Sequence, residues 1–148
     1  MDYSKQRNEK VLIVAAHPDD EVLGCGGAIA KHSEEGDEVR VLIVAQGASS
    51  RYTEVGQEVL DHEHDQLIKA AIKAGNILKT KEVKHLGYPD NRLDSVDRLN
   101  IIQDIEKEIK AFQPTVVYVH HAGDVNIDHR RIHEAVVTAC RPMENMSV

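Results

Sequence analysis

Short aliphatic runs alternate along the chain with longer segments in which apolar residues recur at helical spacing. Continuous apolar, β-branched runs are typical of strands that are buried on both faces of a parallel sheet. We predict four such strands, over 10–16, 38–45, 82–86 and 115–119. The spacing of the apolar positions predicts four helices, over 21–32, 53–74, 95–112 and 128–140. Because strand–helix–strand crossovers are right-handed, this alternation predicts a Rossmann-like three-layer α/β/α fold with a mostly parallel sheet.

The composition restricts the possible partners of the chain. The 148 residues include 18 basic and 25 acidic side chains, one Phe, four Tyr and no Trp. A net-acidic, aromatic-poor chain neither attracts phosphate backbones nor offers stacking platforms for bases, so we expect no nucleic-acid partner. No apolar run approaches the roughly 18–20 residues that a transmembrane segment needs. The polar start and two widely separated cysteines, Cys25 and Cys140, favour a cytoplasmic protein with reduced thiols.

Polar side chains follow each predicted strand at its carboxyl end. These four segments are 17–21 (HPDDE), 46–51 (QGASSR), 87–92 (GYPDNR) and 120–129 (HHAGDVNIDH). In open parallel sheets, ligands bind beyond the carboxyl ends of the strands. The sequence therefore predicts a functional site at this edge of the sheet.

The glycine-rich segment 24–27 (GCGG) raises the question of a dinucleotide site. Its glycines do not have the G-x-G-x-x-G spacing, and they fall inside a predicted helix rather than at its start. Adjacent carboxylates at 19–20, where that helix begins, would repel a pyrophosphate. We therefore interpret these glycines as permitting close packing of helix and sheet.

The same carboxylates suit a divalent cation. His17 ends the first strand and Asp20 lies one turn later, so a nitrogen and an oxygen ligand for zinc can converge. A third ligand is available from three histidines in the last loop, which are His120, His121 and His129. Three protein ligands leave a position for water, and Asp19 is then placed to take its proton. The alternative is that the acids at 19–21 only cap a helix, which does not account for the preceding His-Pro.

Two longer motifs resemble those of a known enzyme family. The segment 16–21 (AHPDDE) resembles the signature of the LmbE-like, or PIG-L, family of zinc-dependent N-acetylglucosamine deacetylases, and 124–129 (DVNIDH) resembles the family's later motif. The segment 87–90 (GYPD) is also similar to a family segment. The resemblance implies zinc ligands at His17, Asp20 and His129, and Asp19 as general base. It further implies that Asp128 orients its neighbours and that Asp90 and Arg51 touch sugar hydroxyls.

The sequence departs from the family pattern at Asn126. Many members have a histidine three residues before the last ligand, where it acts as an acid and stabilises the oxyanion. Asparagine can donate a hydrogen bond there but cannot supply a proton. Either Asp19 is then both base and acid, or His120 or His121 supplies the proton.

The resemblance implies one LmbE-like deacetylase domain over 1–148 that lacks the family's C-terminal portion. The expected function is a zinc-dependent hydrolase that removes the N-acetyl group from an N-acetylglucosamine-type sugar or its conjugate. Two alternatives stay open, namely a related amidase that acts on another small conjugate and a non-catalytic zinc- or sugar-binding module. The sequence does not determine the oligomeric state, and a homo-oligomer is one of the possibilities.

Overall fold

The computed structural model describes residues 8–49, 54 and 56–142 of the chain. The strands are β1 (Lys10–Ala15), β2 (Glu38–Ala45), β3 (Glu82–Tyr88) and β4 (Val116–Val119). The helices are α1 (Asp20–Glu34), α2 (Gln57–Ile77), α3 (Arg98–Phe112) and α4 (Ile127–Ala139). The predicted order of strands and helices is confirmed.

The helix boundaries differ from the prediction where local hydrogen bonds decide them. Helix α3 begins three residues later than predicted, because Leu93–Ser95 forms a separate 3-10 turn. Asp97 then caps α3 by accepting the backbone N–H of Leu99. The predicted start of α2, at residue 53, lies outside the described residues. Among the described helices, none is long and apolar enough to cross a lipid bilayer.

The four strands form one parallel sheet in the order β3-β2-β1-β4. Strand β1 is central, so Val11 is in register with Val39 of β2 on one side and with Val116 of β4 on the other. Since every strand runs in the same direction, the four carboxyl ends lie at one edge. The predicted Rossmann-like fold with a parallel sheet is confirmed.

Alternating residues of the central strands supply two separate cores. Leu12 and Val14 of β1 belong to the core that also contains the buried faces of α3 and α4. Val11 and Ile13 belong to the opposite core, with Ile29 of α1 and Ala71 of α2. The sheet therefore lies between two helical layers, and the loops at its carboxyl edge are held by both layers.

Close packing of α2 against β3 depends on Gly75. A Cβ added at Gly75 would lie 2.5 Å from Val83 Cγ2 and 2.7 Å from Thr80 Oγ1, whereas one added at Gly27 of α1 meets nothing within 4 Å. We expect Gly75→Ala to lower the free energy of unfolding by about 1–3 kcal/mol, through overpacking. The control Gly27→Ala should raise it by up to about 1 kcal/mol, because alanine favours a helix over glycine. Urea unfolding measures both changes, and equal effects would contradict the packing argument.

Candidate metal centre

Three side chains converge at the carboxyl edge of the sheet, two from the segment that joins β1 to α1 and one from the start of α4. His17 follows β1, Asp20 is the first residue of α1, and His129 lies in the first turn of α4. Asp20 Oδ2 is 3.3 Å from His17 Nδ1 and 3.2 Å from His129 Nε2. All three donor atoms lie within 4.8 Å of one another. The structure thus brings together the three residues that the sequence predicted as zinc ligands.

The two distances from Asp20 Oδ2 to the histidine nitrogens fit the donor spacing around a tetrahedral zinc ion. Zinc bonds to nitrogen and oxygen of about 2.0–2.1 Å place neighbouring donors of a tetrahedron roughly 3.3–3.4 Å apart. The measured 3.3 and 3.2 Å agree with that spacing. Two imidazole nitrogens and one carboxylate oxygen also match the ligand chemistry of a catalytic zinc site.

The second nitrogen of each histidine predicted as a ligand, His17 and His129, is held by carboxylates. His17 Nε2 lies 2.9 Å from Asp128 Oδ2 and 3.3 Å from Asp90 Oδ1, and His129 Nδ1 lies 3.0 Å from Asp124 Oδ2. Histidines that bind metals usually donate their other N–H to such a group, which fixes the tautomer and the ring orientation. Asp124 was not among the predicted site residues, although it lies five residues before His129 in the motif 124–129.

The charges around His17 favour a cation. Burial lowers the pKa of His17, but hydrogen bonds to Asp128 and Asp20 outweigh it and raise the pKa to about 9. Burial alone would raise the pKa of Asp20, because it disfavours the charged carboxylate. The hydrogen bonds of Asp20 with His17 outweigh burial and hold this pKa below its usual value. In the metal-free chain, therefore, a proton on His17 is stabilised by the surrounding carboxylates. A metal ion would replace that proton on binding.

His120 is fixed in one tautomer by the main chain. The backbone N–H of Ala16 donates to His120 Nε2 at 2.8 Å, so this nitrogen carries no proton. The ring stacks on His129 with 3.8 Å between centroids, and burial lowers the pKa of His120. His121 is exposed instead, and its Nδ1 accepts the backbone N–H of Gly123. Of the two candidate proton donors, only His121 has an Nε2 that the main chain does not occupy.

Asp19 precedes α1 in a backbone conformation that is rare for residues with a side chain. Its φ is 149° and its ψ is −29°, outside the regions that L-residues ordinarily adopt. Asp19 occupies the N-cap position, yet its side chain makes no capping hydrogen bond. Capping therefore does not explain this acid, and the predicted role of Asp19 as general base stays a prediction.

Residues 12–140 match the family model described as PIG-L: GlcNAc-PI de-N-acetylase. The chain belongs to the PIG-L family. An uncharacterised deacetylase of Escherichia coli K12, YaiS, is 28% identical over 142 residues, which is 93% of this chain and 71% of the relative.

The PIG-L chain is similar in structure to two solved enzymes whose reactions differ from each other. It superposes on the N,N'-diacetylchitobiose deacetylase of Pyrococcus horikoshii with a TM-score of 0.81 and 26% identity, over 96% of this chain and 54% of that one. It superposes on the 4-carboxy-2-hydroxymuconate hydratase GalB of Pseudomonas putida with a TM-score of 0.74 and 25% identity, over 88% of this chain and 55% of that one. The chain thus spans about half the length of both structures.

Asn126, where the PIG-L chain departs from the family pattern, is the N-cap of α4. Its Oδ1 accepts the backbone N–H groups of Asp128 and His129, at 2.8 and 3.4 Å. Its Nδ2 donates to Asn91 Oδ1 at 3.1 Å. Asn126 therefore orients the start of α4, a role that the preference of asparagine for N-caps could have indicated. Its predicted role as an oxyanion donor stays a prediction.

Of the two residues predicted to touch a sugar, Asp90 and Arg51, the structure describes only Asp90. Asp90 is only 2% exposed and its Oδ1 lies 3.3 Å from His17 Nε2, and its predicted contact with a sugar stays a prediction. Arg51 lies outside the described residues. Open space near the ligands is instead provided by a cleft of about 240 Å³, which Asp20, His120 and His121 line. Asp19 lines a separate groove between α1 and α2, of about 360 Å³.

Asp128 links His17 to the backbone of the loop that follows β3. It is fully buried, and besides His17 it accepts the backbone N–H groups of Asn91 and Leu93, at 2.7 and 3.0 Å. This geometry supports the predicted orienting role, because rotation of Asp128 would release three donors.

We expect Asp128→Asn to weaken zinc binding by about 10–100-fold, the usual effect of removing such a partner of a ligand. Competition with a chromophoric chelator measures the affinity. Asp65→Asn, on the exposed face of α2, is the matched control and should bind zinc like the parent. Equal zinc affinities of the two variants would show that Asp128 does not support zinc binding.

Proposed function

We propose that the chain is a zinc-dependent hydrolase that removes the N-acetyl group from an N-acetylglucosamine-type sugar or its conjugate. The observation that carries this proposal is the donor set of His17, Asp20 and His129, with both histidines oriented by carboxylates. Membership of the PIG-L family and the likeness to a diacetylchitobiose deacetylase support the choice of substrate class.

The proposed reaction divides the work between the metal and Asp19. When bound, zinc would polarise the amide carbonyl and lower the pKa of water to about 7. An oxygen of the Asp19 carboxylate takes the proton of the attacking water while the new C–O bond forms. The same carboxylate then returns the proton to the nitrogen as the C–N bond breaks, which releases acetate and the free amine.

We assign the acid step to Asp19 rather than to a histidine. The Nε2 of His120 accepts the Ala16 N–H, which supports leaving this atom out of proton delivery. His121 is the exposed candidate, and His121→Gln removes its titrating group while keeping a polar side chain. We expect this variant to keep the parent's alkaline limb in the pH–rate profile. A flattened limb would assign the acid step to His121.

The proposal is tested by incubating the zinc-loaded chain with N-acetylglucosamine and its conjugates and measuring acetate and free amine together. Turnover should be lost on treatment with a chelator and restored by zinc. Binding of the sugars without turnover would favour the non-catalytic module. Turnover of N-acetylated compounds other than sugars, and of no sugar, would favour the amidase.

A second candidate function, hydration of a carbon–carbon double bond, is favoured by the likeness to GalB. A metal that activates water beside a carboxylate base suits the addition of water to an unsaturated acid as well as amide hydrolysis. Loss of the ultraviolet absorbance of a conjugated dicarboxylate, with no acetate released from N-acetyl sugars, would support this candidate over the deacetylase.

A further inference from the structure

Glu21 is a buried carboxylate that the reaction proposed above does not use. It is the second residue of α1 and is 3% exposed. Its Oε2 accepts the backbone N–H of Asp19 at 3.0 Å, whereas its Oε1 is buried and has no hydrogen-bond partner among the residues that the structure describes. A buried acceptor without a partner costs free energy, so helix stability alone is a poor explanation for a glutamate at this position.

The bond from Glu21 acts on the unusual backbone of Asp19. A residue with φ of 149° and ψ of −29° keeps that conformation only where its surroundings hold it. On its carboxyl side, the Asp19 carbonyl accepts the backbone N–H groups of Val22 and Leu23, at 3.1 and 2.9 Å. On its amino side, the N–H is held by Glu21. The peptide groups on both sides of the Asp19 side chain are therefore anchored to the first turn of α1.

This arrangement is similar to one half of a capping box, except that Glu21 is the second residue of the helix and the glutamate of the motif is the third. In a complete box, the N-cap side chain accepts a backbone N–H of the first turn, while a glutamate in that turn accepts the N–H of the N-cap residue. Here the glutamate makes its bond, but the side chain of Asp19 makes no capping bond. The backbone of the N-cap residue is thus fixed without a capping hydrogen bond from its own side chain.

We propose that Glu21 is a positioning residue that holds the backbone of Asp19 and thereby restricts the positions that the Asp19 carboxylate can reach. This inference rests on the proposed function, in which Asp19 is the general base. Because Glu21 Oε1 has no hydrogen-bond partner in the described part of the chain, a neutral side chain that keeps one acceptor oxygen can replace the carboxylate. The hydrogen bond from the Asp19 N–H, and not the charge of Glu21, performs the positioning.

The test compares Glu21→Gln with Glu21→Met in the zinc-loaded chain. Glutamine keeps the acceptor oxygen and places its amide nitrogen at the position of Oε1, whereas methionine has a similar length and no such acceptor. In the methionine variant, we expect hydrogen exchange of the Asp19 amide to accelerate at least about tenfold. Its kcat should fall by about 10–100-fold, with KM within about twofold of the parent. The glutamine variant should keep both properties within about threefold, and both variants should keep the parent's zinc content.

Ile29→Val is the control for a general loss of stability in α1. Ile29 is buried in the same helix and lies ten residues from Asp19 in the sequence, so its truncation should leave the exchange of the Asp19 amide and kcat unchanged. Three results would overturn the proposal: a methionine variant that behaves like the parent, a glutamine variant as impaired as the methionine variant, or loss of zinc from the methionine variant. Amide exchange needs no turnover. A parent that hydrolyses no N-acetyl sugar would therefore refute the proposed function, while the exchange rates would still decide whether Glu21 holds Asp19.

Discussion

Asp19→Asn should fold and keep its zinc, but its kcat for N-acetyl sugar hydrolysis should fall by about 10²–10⁴-fold. That range is the usual contribution of a positioned general acid–base group. Asparagine has nearly the same shape as aspartate and tolerates unusual backbone conformations, so the strained φ of 149° need not change. The amide cannot accept a proton from water, however, so the substitution removes the proposed chemistry and leaves the backbone bond to Glu21 in place.

The control for this variant is Asp61→Asn, which removes an exposed carboxylate from α2 and changes the net charge by the same amount. Its kcat and zinc content should match those of the parent. Loss of zinc from Asp19→Asn would instead identify Asp19 as a ligand. A variant with full activity would show that the base is another residue.

The sequence was sufficient to predict the fold because periodic signals determine it. Apolar runs such as 10–16 identify buried strands, and parallel strands bring all their carboxyl ends to one edge. With β1 and β4 adjacent in the sheet, His17 and His129 meet even though they lie far apart in the sequence. The convergence of the proposed ligands was therefore accessible from topology and a motif.

The orientation of the site could not be predicted in the same way, because it depends on loop paths and rotamers. No periodic pattern indicates that Asp90 is buried beneath His17, or that Asp124 holds the far nitrogen of His129. The same holds for the hydrogen bond from Ala16 N–H to His120. Beyond the end of β4, the His120 side chain accepts this N–H in the place of a backbone carbonyl. Such contacts cannot be predicted from the sequence, and they decide which nitrogen of each imidazole faces Asp20.

The largest effect on metal content should come from the two proposed histidine ligands. We expect the purified parent to hold about one zinc per chain, and His17→Ala and His129→Ala to hold less than about a tenth of that, since each leaves only two protein ligands. Elemental analysis after exhaustive dialysis measures the content. His62→Ala, on the exposed surface of α2, removes an imidazole without touching the site and should keep the full zinc content.

The identity of the donor atoms can be tested separately from the metal content. Cys25 lines the cleft beside Asp20, so a thiolate is a rival ligand that elemental analysis alone would not detect. Burial and the nearby Glu21 raise the pKa of Cys25, which disfavours the thiolate that a metal would need. We therefore expect the cobalt-substituted parent to show the visible bands of a tetrahedral nitrogen and oxygen site, without the intense near-ultraviolet band of a cobalt–thiolate bond. Cys25→Ser should leave this spectrum and the zinc content unchanged. A thiolate band in the parent, or full zinc in both histidine variants, would show that the metal lies elsewhere.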